Sequence, residues 1–508
     1  MPVGIVAAGH RESARAGAVT LARGGNAVDA AAAAACAASV AESPLTGPGA
    51  GGFLTFRPAE GPARVIDFFV QVPGLGEDGR RLEPGMLDSF VVPFGGADQV
   101  FHIGPASVAV PGFLHGIAHA VERHGRLTLA EVVEPACRLA REGVRLTAET
   151  DYLFRILGAM LLFTPEAGAV YAPGGRLLSE GDVLRIPELA DTFELFAAEG
   201  AEALGHGAIG QAIRAHLGDH GLVTATDLRE YRVVEREPLH LRRGDDEVVT
   251  NPPPSAGGIL ILTALSTIDP AAAGTDVGFY RAVVEGGVHA NGVRDETFLD
   301  ALREPGLIER ILGAITRKPT GTTNVSVIDA DGGMASLSSS LGSGGGVVVP
   351  GTGILLNNMS GEQDLNPAGF GLSDPGLRMT SMMAPTLVVR NGEPVMALGS
   401  AGSNRLRSAI LQTLVSVLDG GLGVAAAVNR PRVHPEDGRV DVEFGVDEEV
   451  CTALERDGHS LRRWDARNLF FGGVSAVTRR DGVLAGAGDP RRGGAAAVVT
   501  ADGEVRDL

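Results

Sequence analysis

The pattern of hydrophobic and polar positions differs between the two parts of the chain. Up to about residue 320, apolar residues recur with the helical period, and Gly/Pro turns and short strand-like runs separate the helical segments. Alanine-rich amphipathic helices are predicted at 12–23, 26–41, 112–124 and 128–142. Thr128, three residues before Glu131, is expected to cap the last of these helices, and Thr226 is expected to cap a later one.

From residue 322 onward, short alternating or β-branched runs indicate strands. The predicted strands are 322–330, 334–340, 346–350, 386–390, 394–399, 473–478 and 495–500. One helix, 403–418, is predicted after the turn at Gly399–Gly402. Periodicity alone therefore predicts a mixed α/β fold.

A hairpin is predicted at the start of this second part. The run Thr322–Ala330 turns at Asp331-Gly332 and returns through Met334–Ser340. An Asp-Gly pair between β-branched runs is a strong short-range hairpin signal. A turn centred on these two residues places position 322 opposite position 341, so Ser340 is expected one residue from the partner of Thr322.

The pair Gly321-Thr322 suits an enzyme that cuts its own chain. The freed α-amino group of Thr322 would act as the base and its own hydroxyl as the nucleophile. From these residues alone, an ordinary hairpin with a polar edge is the simpler interpretation, because Gly-Thr-Thr is a common sequence.

Composition limits the class of partner. The 508 residues are 44% hydrophobic and 21% charged, which is typical of globular proteins. The net charge of −19 argues against nucleic acid or an anionic membrane surface as a partner. No run reaches the ~18 apolar residues of a membrane span. The first residues do not have the pattern of a secretory signal, so a cytoplasmic location is expected.

Cysteines and histidines do not form a metal motif in the sequence. The three cysteines lie in alanine-rich or apolar contexts without Cys-x-x-Cys spacing and are predicted to be buried small hydrophobes: Cys36, Cys137 and Cys451. Four histidines fall within one stretch but lack ligand spacing with a third residue: His102, His115, His119 and His124. No metal or nucleotide cofactor is predicted.

Short blocks in a fixed order carry a much more specific signal. They include Gly24–Ala31 (GGNAVDAA), Gly47–Phe53 (GPGAGGF), Asn251–Gly258 (NPPPSAGG), Leu398–Ser403 (LGSAGS) and Gly488–Arg491 (GDPR). With these blocks in this order over almost its whole length, the chain resembles the γ-glutamyltransferase (γ-glutamyltranspeptidase) family of N-terminal-nucleophile hydrolases.

The resemblance implies an α+β fold, a four-layer αββα sandwich with two stacked sheets between helical layers. It also implies that Thr322 Oγ attacks the Gly321 carbonyl, so that the precursor is cut before Thr322. A large chain, 1–321, and a small chain, 322–508, would then stay associated, because both contribute strands to one core.

The same resemblance implies roles for four further residues. Ser340 matches the family's threonine that orients the freed amine, and Thr323 matches its second threonine. Two consecutive backbone N–H groups form the oxyanion hole in the family, and they align with Gly402 and Ser403. Serine still supplies a backbone N–H, so this hole is expected to persist.

The sequence departs from the family where the substrate carboxylate is held. Phe69 stands where the family has an arginine, and it cannot supply a bidentate guanidinium. The family's two carboxylate-binding serines match Ser381 and Met382, so one hydroxyl is lost. The substrate pocket is therefore expected to be more apolar, unless another arginine, such as Arg378 or Arg405, supplies the charge from a different position.

Further departures lie close to the predicted nucleophile. The family asparagine two residues beyond the orienting threonine is Gly342 here, and the histidine after the paired threonines is Asn324. The acidic residue that takes the substrate amine matches Asp364, with Glu362 as an alternative because of a two-residue insertion.

Three functions remain compatible with these residues. The first is a self-processing threonine hydrolase or acyltransferase that acts on a small, γ-glutamyl-like amide through an acyl-enzyme and a modified pocket. The second keeps the nucleophile but cleaves a carbon–carbon bond next to an activated carbonyl, as some homologues in specialised-metabolite pathways do. The third is an uncleaved, inactive homologue with a binding role.

Overall fold

The computed structural model of the chain describes residues 2–83, 85–93, 98–292, 322–363, 365–366, 369–402 and 404–508. The helices are α1 (Arg11–Ala22), α2 (Ala27–Ala41), α3 (Phe113–His124), α4 (Leu129–Glu142), α5 (Ala148–Leu161), α6 (Pro165–Tyr171), α7 (Pro187–Glu199), α8 (Glu202–Gly205), α9 (Ala208–Leu217), α10 (Ala225–Glu230), α11 (Ala256–Thr267), α12 (Asp276–Gly292), α13 (Arg405–Leu418), α14 (Val424–Asn429) and α15 (Glu448–Arg456). 

The strands are β1 (Pro2–Ala8), β2 (Gly51–Arg57), β3 (Arg64–Phe68), β4 (Asp88–Pro93), β5 (Asp98–Ile103), β6 (Val144–Arg145), β7 (Val183–Leu184), β8 (Val234–Arg236), β9 (Leu239–Arg243), β10 (Asp246–Thr250), β11 (Thr323–Ile328), β12 (Met334–Ser340), β13 (Val348–Val349), β14 (Ile354–Leu355), β15 (Thr386–Arg390), β16 (Glu393–Ala401), β17 (Val433–Glu436), β18 (Arg439–Val442), β19 (Ser460–Arg463), β20 (Gly473–Arg480), β21 (Val483–Gly488), β22 (Ala495–Thr500) and β23 (Val505–Asp507).

Two large sheets form the centre of the molecule. The first has eight strands in the order β23-β22-β1-β11-β12-β2-β3-β8, and the second has six in the order β21-β20-β16-β15-β10-β9. Strands from before residue 293 and strands from after residue 321 alternate within the first sheet, since β1 lies between β11 and β22. The two parts of the chain therefore share one core and are not separate folding units.

Three apolar layers separate the elements. Between the two sheets, Ile5, Ile328 and Met334 of the first sheet pack with Leu387 and Val477 of the second. A larger core joins the other face of the first sheet to α1–α4, and another joins the second sheet to α11, α12 and α13. The order helix–sheet–sheet–helix is the four-layer αββα sandwich, as predicted.

Helix α2 shows how the alanine-rich sequence serves this packing. Asn26 caps it: its side chain accepts the N–H groups of Val28 and Asp29, while the Asp29 carboxylate accepts the N–H of Asn26. Every residue of α2 is buried. Side chains of one methyl group allow the helix to lie close to the first sheet and to α1 and α4 at the same time.

Several sequence predictions are confirmed and two are corrected. The predicted strands 334–340 and 386–390 are β12 and β15, and Thr128 caps α4 in a capping box with Glu131. Thr226 is not a cap: Thr224 caps α10, because its side chain accepts the N–H of Asp227.

The hairpin register also differs by one residue from the prediction. Thr323 pairs with Ser339 and Ile328 pairs with Met334, so the turn is centred on Asp331. Asp329 causes the difference, because its carboxylate accepts the N–H groups of Asp331 and Gly333 and closes a longer turn.

Candidate active site

Strand ends from both sheets meet at one end of the sandwich. In the first sheet, β1 ends, β11 begins and β12 ends at this edge; in the second, β16 ends and β20 begins there. The two edges are adjacent, since a Cβ atom on Gly399 of β16 would clash with the side-chain amide of Asn324 on β11. Thr322 immediately precedes β11 and is only 3% exposed. This strand-end region is therefore where Thr322 lies.

Ser340 is at the same edge as Thr322. Continuing the pairing of Thr323 with Ser339 by one residue sets Thr322 level with Ser340, closer than the predicted register implied. Ser340 is buried, and its Oγ accepts the N–H of Gly342 at 2.8 Å. The predicted nucleophile and the predicted orienting hydroxyl thus lie on opposite strands of one hairpin.

Thr323 points to the face of the first sheet that packs against the helices, opposite to the face that meets the second sheet. Its Oγ1 donates to Oε2 of Glu42 at 2.6 Å, and Ser13 Oγ of α1 donates to Oε1 of the same carboxylate at 3.1 Å. Burial raises the pKa of Glu42 to about 7, against the opposing effect of these two hydrogen bonds and of Arg492. A carboxyl group that titrates near neutrality therefore contacts the residue after Thr322.

Gly402 follows the end of β16, in the turn that leads toward α13. Its φ of 108° is in the region that favours glycine, and a Cβ atom there would lie 2.6 Å from the Cα of Gly472. Only glycine allows these two backbone segments to approach so closely. Gly402 is therefore fixed in position at the end of the second sheet, beside the edge where Thr322 lies.

A buried network of ion pairs lies next to the turn that contains Gly402. Arg432 and Arg491 both contact Asp489, at 2.5 and 3.1 Å, and Arg491 also binds Glu443. Burial favours the neutral form of Asp489, but the two guanidinium groups hold its pKa below the usual range. Its carboxylate also accepts the N–H of Val474 in β20. The Gly488–Arg491 block thus acts as a structural anchor.

Arg492 continues from this network toward the edge. Its Nη2 lies 3.4 Å from the position of a Cβ atom on Gly402, and donates to the carbonyl oxygen of Leu469 at 3.4 Å. Its Nε is buried and has no hydrogen-bond partner among the residues that the structure describes. Burial lowers the pKa of Arg492 to about 10, while Asp489 and, to a smaller extent, Glu42 favour its charged form. Arg492 is thus a weakly partnered cation beside Gly402.

Apolar packing surrounds Phe69, the residue that the sequence resemblance matches to the family's carboxylate-binding arginine. Phe69 follows β3, is fully buried, and stacks on Phe53 of β2 with ring centroids 5.4 Å apart. Met382 is half-buried and packs against the core between the second sheet and its helices. Ser381 is buried, and its Oγ accepts the N–H of Met383 at 3.0 Å.

Arg378 does not offer an open charge in place of the missing arginine. Its guanidinium contacts the Asp67 carboxylate at 3.3 Å, donates to the carbonyl oxygen of Phe69 and to the Tyr231 hydroxyl, and lies over the Tyr231 ring. Asp67 also binds Arg236 at 2.8 Å. Arg378 therefore neutralises a buried carboxylate and orders the backbone of Phe69.

Arg405 also has internal partners. Its Nε donates to the carbonyl oxygen of Phe470 at 3.0 Å, and its guanidinium lies 4.5 Å from the centre of the Phe470 ring. It is buried in the first turn of α13. The alternative in which one of these two arginines replaces the family's ligand thus has no support in their contacts.

Gly342 has a positive φ of 72°, and its surroundings exclude a larger residue. A Cβ atom there would clash with the carboxylate of Glu362 and with the side-chain oxygen of Asn358. The Glu362 side chain is buried. Glu362 and Asn358 thus fill the space beside Gly342 that a side chain at this position would need. Three predicted site residues, Gly321, Asp364 and Ser403, lie outside the described residues.

Sequence reasoning did not identify Glu42, Ser13 or Arg492 as neighbours of the nucleophile strand. The signal for Glu42 was an acidic residue directly after a long, alanine-rich helix. Such a residue is buried only when it has hydrogen-bonding partners.

Elsewhere, His119, His124 and Glu235 are the one group of possible ligands close enough together to hold a metal ion, among the described residues. Both histidines contact the same Glu235 oxygen, at 2.8 and 3.0 Å, on the β8 edge of the first sheet. In the part of the chain that the structure describes, no helix is both long and apolar enough to span a bilayer.

Comparison with known proteins gives a consistent result. The gamma-glutamyltranspeptidase family model matches residues 13–305 and 307–499. The acylase ACY 1 proenzyme of Pseudomonas sp. (strain V22) is 31% identical over 518 residues, covering 95% of this chain and 91% of that protein. The glutathione hydrolase proenzyme of Escherichia coli (strain K12) is 30% identical over 540 residues, covering 96% and 90%.

A solved structure has the same fold over the same length. The cephalosporin acylase from Bacillus halodurans matches with a TM-score of 0.80 at 26% identity, and the match covers 97% of this chain and 95% of that one. The sequence match extends over both parts of the chain, and the four-layer sandwich agrees with it. The chain therefore belongs to the gamma-glutamyltranspeptidase family, and it is an enzyme of the N-terminal-nucleophile hydrolase type that hydrolyses or transfers an amide.

Proposed function

We propose that the chain cuts itself between Gly321 and Thr322 and then uses Thr322 to cleave a small amide. The observation that carries this proposal is the position of Thr322 immediately before β11, level with Ser340 and at the edge that also contains Gly402. This edge offers a hydroxyl nucleophile, a second hydroxyl and a glycine turn within one strand-end region.

In the first step, Thr322 Oγ attacks the carbonyl carbon of Gly321. The Gly321–Thr322 C–N bond breaks, an ester forms at Oγ, and the nitrogen of Thr322 gains a proton to become an amine. Water then hydrolyses the ester, which leaves a carboxylate on Gly321 and a free hydroxyl on Thr322. The products are a large chain, 1–321, and a small chain, 322–508, that remain associated through the shared first sheet.

In the second step, the mature Thr322 attacks the substrate amide. An α-amino group with a pKa of about 7.7 to 8.0 can take the hydroxyl proton near neutral pH. Ser340 orients this amine, and backbone N–H groups at Gly402 and Ser403 stabilise the oxyanion, where losing one donor costs ~3 kcal/mol. Water or an acceptor amine then releases the acyl group.

The acyl group should be less polar than γ-glutamyl. Phe69 and Met382 stand where two ligands of the glutamyl α-carboxylate are expected, and Arg378 is occupied by Asp67. A carboxylate held against these side chains would lose its hydration without gaining a charged partner. The relatives with acylase names agree with a family pocket that accepts more than one kind of acyl group.

Four matched p-nitroanilides test this proposal: γ-glutamyl, glutaryl, 4-aminobutyryl and butyryl. They differ only in the amine and the carboxylate at the far end of the acyl chain. We expect the butyryl and 4-aminobutyryl compounds to give at least the kcat/KM of the γ-glutamyl compound. A γ-glutamyl preference of more than about tenfold would contradict the apolar pocket, since a charge-assisted contact contributes about 1.5–3 kcal/mol.

The state of the chain decides what a negative assay means. A cleaved protein that turns over none of the four anilides would favour carbon–carbon bond cleavage by the same threonine. A protein that stays uncut and inactive would favour the binding homologue.

A further inference from the structure

Glu42 lies next to the proposed nucleophile strand at a high cost to the fold. It follows α2 directly, and its own N–H completes that helix by donating to the carbonyl oxygen of Ala38. A negative charge at the C-terminal end of a helix is unfavourable, and burial adds to this penalty. Stability of the fold therefore does not explain a carboxylate at this position.

The contacts of Glu42 point to the start of β11. Thr323 Oγ1 donates to the carboxylate at 2.6 Å, which is short, as expected for a charge-assisted hydrogen bond. Gly9, just after β1, provides the space, because a Cβ atom there would clash with Oε2 of Glu42 and lie 3.1 Å from Thr323 Oγ1. Thr323 is also stiff at χ1, since it is branched at Cβ. The contact thus fixes the backbone that carries Thr322.

The charge of Arg492 acts on the same carboxylate from the side of the second sheet. Its charge favours the ionised form of Glu42, and its Nη2 lies against Gly402. Further titratable groups near this corner include His10, at the start of α1, Glu149, which acts on His10, and the buried Tyr171, whose hydroxyl bonds Ser43 directly after Glu42. Burial lowers the pKa of His10 to about 4, so it stays neutral at physiological pH.

We propose that Glu42 is a positioning residue for Thr322, and that its ionised form holds Thr323, and with it the nucleophile, in the geometry required for self-cleavage. An ionised carboxylate only accepts hydrogen bonds, so the hydroxyls of Thr323 and Ser13 must both donate to it and each has one orientation. A protonated Glu42 can donate as well, so several arrangements become possible. This proposal rests on the proposed function, because it concerns the same Thr322.

The rate of self-cleavage reports the protonation of Glu42 separately from that of the Thr322 α-amine. Before the cut, the nitrogen of Thr322 belongs to a peptide bond and does not titrate, so the α-amine contributes nothing to the pH dependence. Among Glu42, Arg492 and His10, Glu42 is the group whose pKa, raised by burial to about 7, lies near neutrality. The rate of self-cleavage should therefore rise as the pH passes through about 7 and then level off.

The experiment follows full-length precursor made by cell-free translation, transferred to buffers from pH 5.5 to 9 and analysed on denaturing gels over time. We expect Glu42→Gln to cleave about 10- to 100-fold more slowly at pH 8, the range associated with a displaced reacting group. Its rate should also be nearly independent of pH between 6 and 8. Thr323→Val should have the same effect, and Thr323→Ser should restore the parent rate.

Two controls separate positioning from damage to the fold. The double variant Glu42→Gln/Thr323→Val should be no slower than either single variant, because both changes remove one contact. Ser13→Ala, which removes the other hydrogen bond to Glu42, should slow cleavage far less. All variants should keep the parent's thermal midpoint within about 5 °C.

Three results would overturn the proposal. In the first, Glu42→Gln cleaves at the parent rate and with the parent pH profile. In the second, Glu42→Gln cleaves more slowly but keeps the parent pH profile, and the double variant with Thr323→Val shows the sum of the two single effects. Both leave the proposed function intact, provided that the parent is cut and Thr322→Ala is not. In the third, the parent itself is never cut, which would overturn the proposed function together with the role of Glu42.

Discussion

The nucleophile edge, comprising Thr322, Thr323, Ser340 and Glu42, and the pocket wall, comprising Phe53, Phe69 and Arg378, lie at the same end of the sandwich but handle charge differently. At the edge, the described residues that act on the buried Glu42 carboxylate are two hydroxyl donors, Ser13 and Thr323, and the charge of Arg492, so the carboxylate can still change its protonation state. In the wall, the Asp67 carboxylate is held by two arginines, and aromatic rings fill the remaining space. Under the proposed function, the scaffold keeps the chemistry of its edge while its wall accepts an acyl group other than γ-glutamyl.

Substitution of Thr322 should have the largest effect. Thr322→Ala should leave the chain uncut and lower activity by at least about a thousandfold, because both the nucleophile and the cut are lost. Thr322→Ser keeps a hydroxyl and should still be cut. Denaturing gels and the p-nitroanilide assay measure both effects. A Thr322→Ala protein with parental activity would show that the edge is not the site of catalysis.

Substitution of Arg378 tests whether this residue of the pocket wall stabilises the fold or binds substrate. Arg378→Met leaves the buried Asp67 carboxylate with a single arginine, Arg236, and should lower the free energy of unfolding by about 3 kcal/mol. Arg236→Met is the matched control and should cost less, because Arg236 is more exposed. Urea unfolding measures both. If Arg378→Met is stable but loses turnover of γ-glutamyl-p-nitroanilide alone, Arg378 binds substrate and the comparison fails.

Glu42 at the nucleophile edge should also make the free energy of unfolding depend on pH. Burial raises the pKa of Glu42 to about 7 in the folded chain, from a usual value of 4.5. Between these values the folded state binds a proton that the unfolded state has lost, so stability falls as the pH rises from 4.5 to about 7 and is constant above. Glu42→Gln should remove about 1–3 kcal/mol of this fall.

Chemical unfolding of the parent and Glu42→Gln at pH 5 and pH 8 checks this expectation. Glu60→Gln, at an exposed position, is the matched control and should leave the pH dependence unchanged. A Glu42→Gln protein with the parent's pH dependence would mean that Glu42 is not buried in the way described.

A change outside both regions should have the smallest effect. His119→Ala removes one of two histidine contacts with Glu235 at the half-buried β8 edge and should change stability by less than about 1 kcal/mol. Catalytic rates should stay at the parent level. A large loss of activity would instead mean that β8 affects the pocket wall, through the contact of Arg236 with Asp67.

Local patterns predicted most elements near the site, because their signals lie within a few residues. Periodicity and turn chemistry identified β12 and the capping box of α4, and the sequence blocks identified the sandwich. The hairpin register was wrong by one residue, because the carboxylate of Asp329 bonds to the turn and lengthens it. Turn type, not strand pattern, sets such a register.

Contacts between distant residues could not be predicted in the same way. Thr323 and Glu42 are 281 positions apart, and Phe69 and Arg378 are 309 apart. Nothing in either local sequence specifies the partner, since burial and the crossing of strands between two sheets bring them together. The pairing of Arg378 with Asp67 could not be predicted from the sequence for the same reason.

In the proposed function, the working enzyme has a second chain that begins at Thr322. Liquid chromatography with intact-mass measurement of the active, denatured protein, followed by N-terminal sequencing of the smaller species, detects this chain. We expect two polypeptides, with the smaller one reading Thr-Thr-Asn-Val-Ser from its first residue. A single uncut polypeptide that carries the full activity would contradict the proposed function.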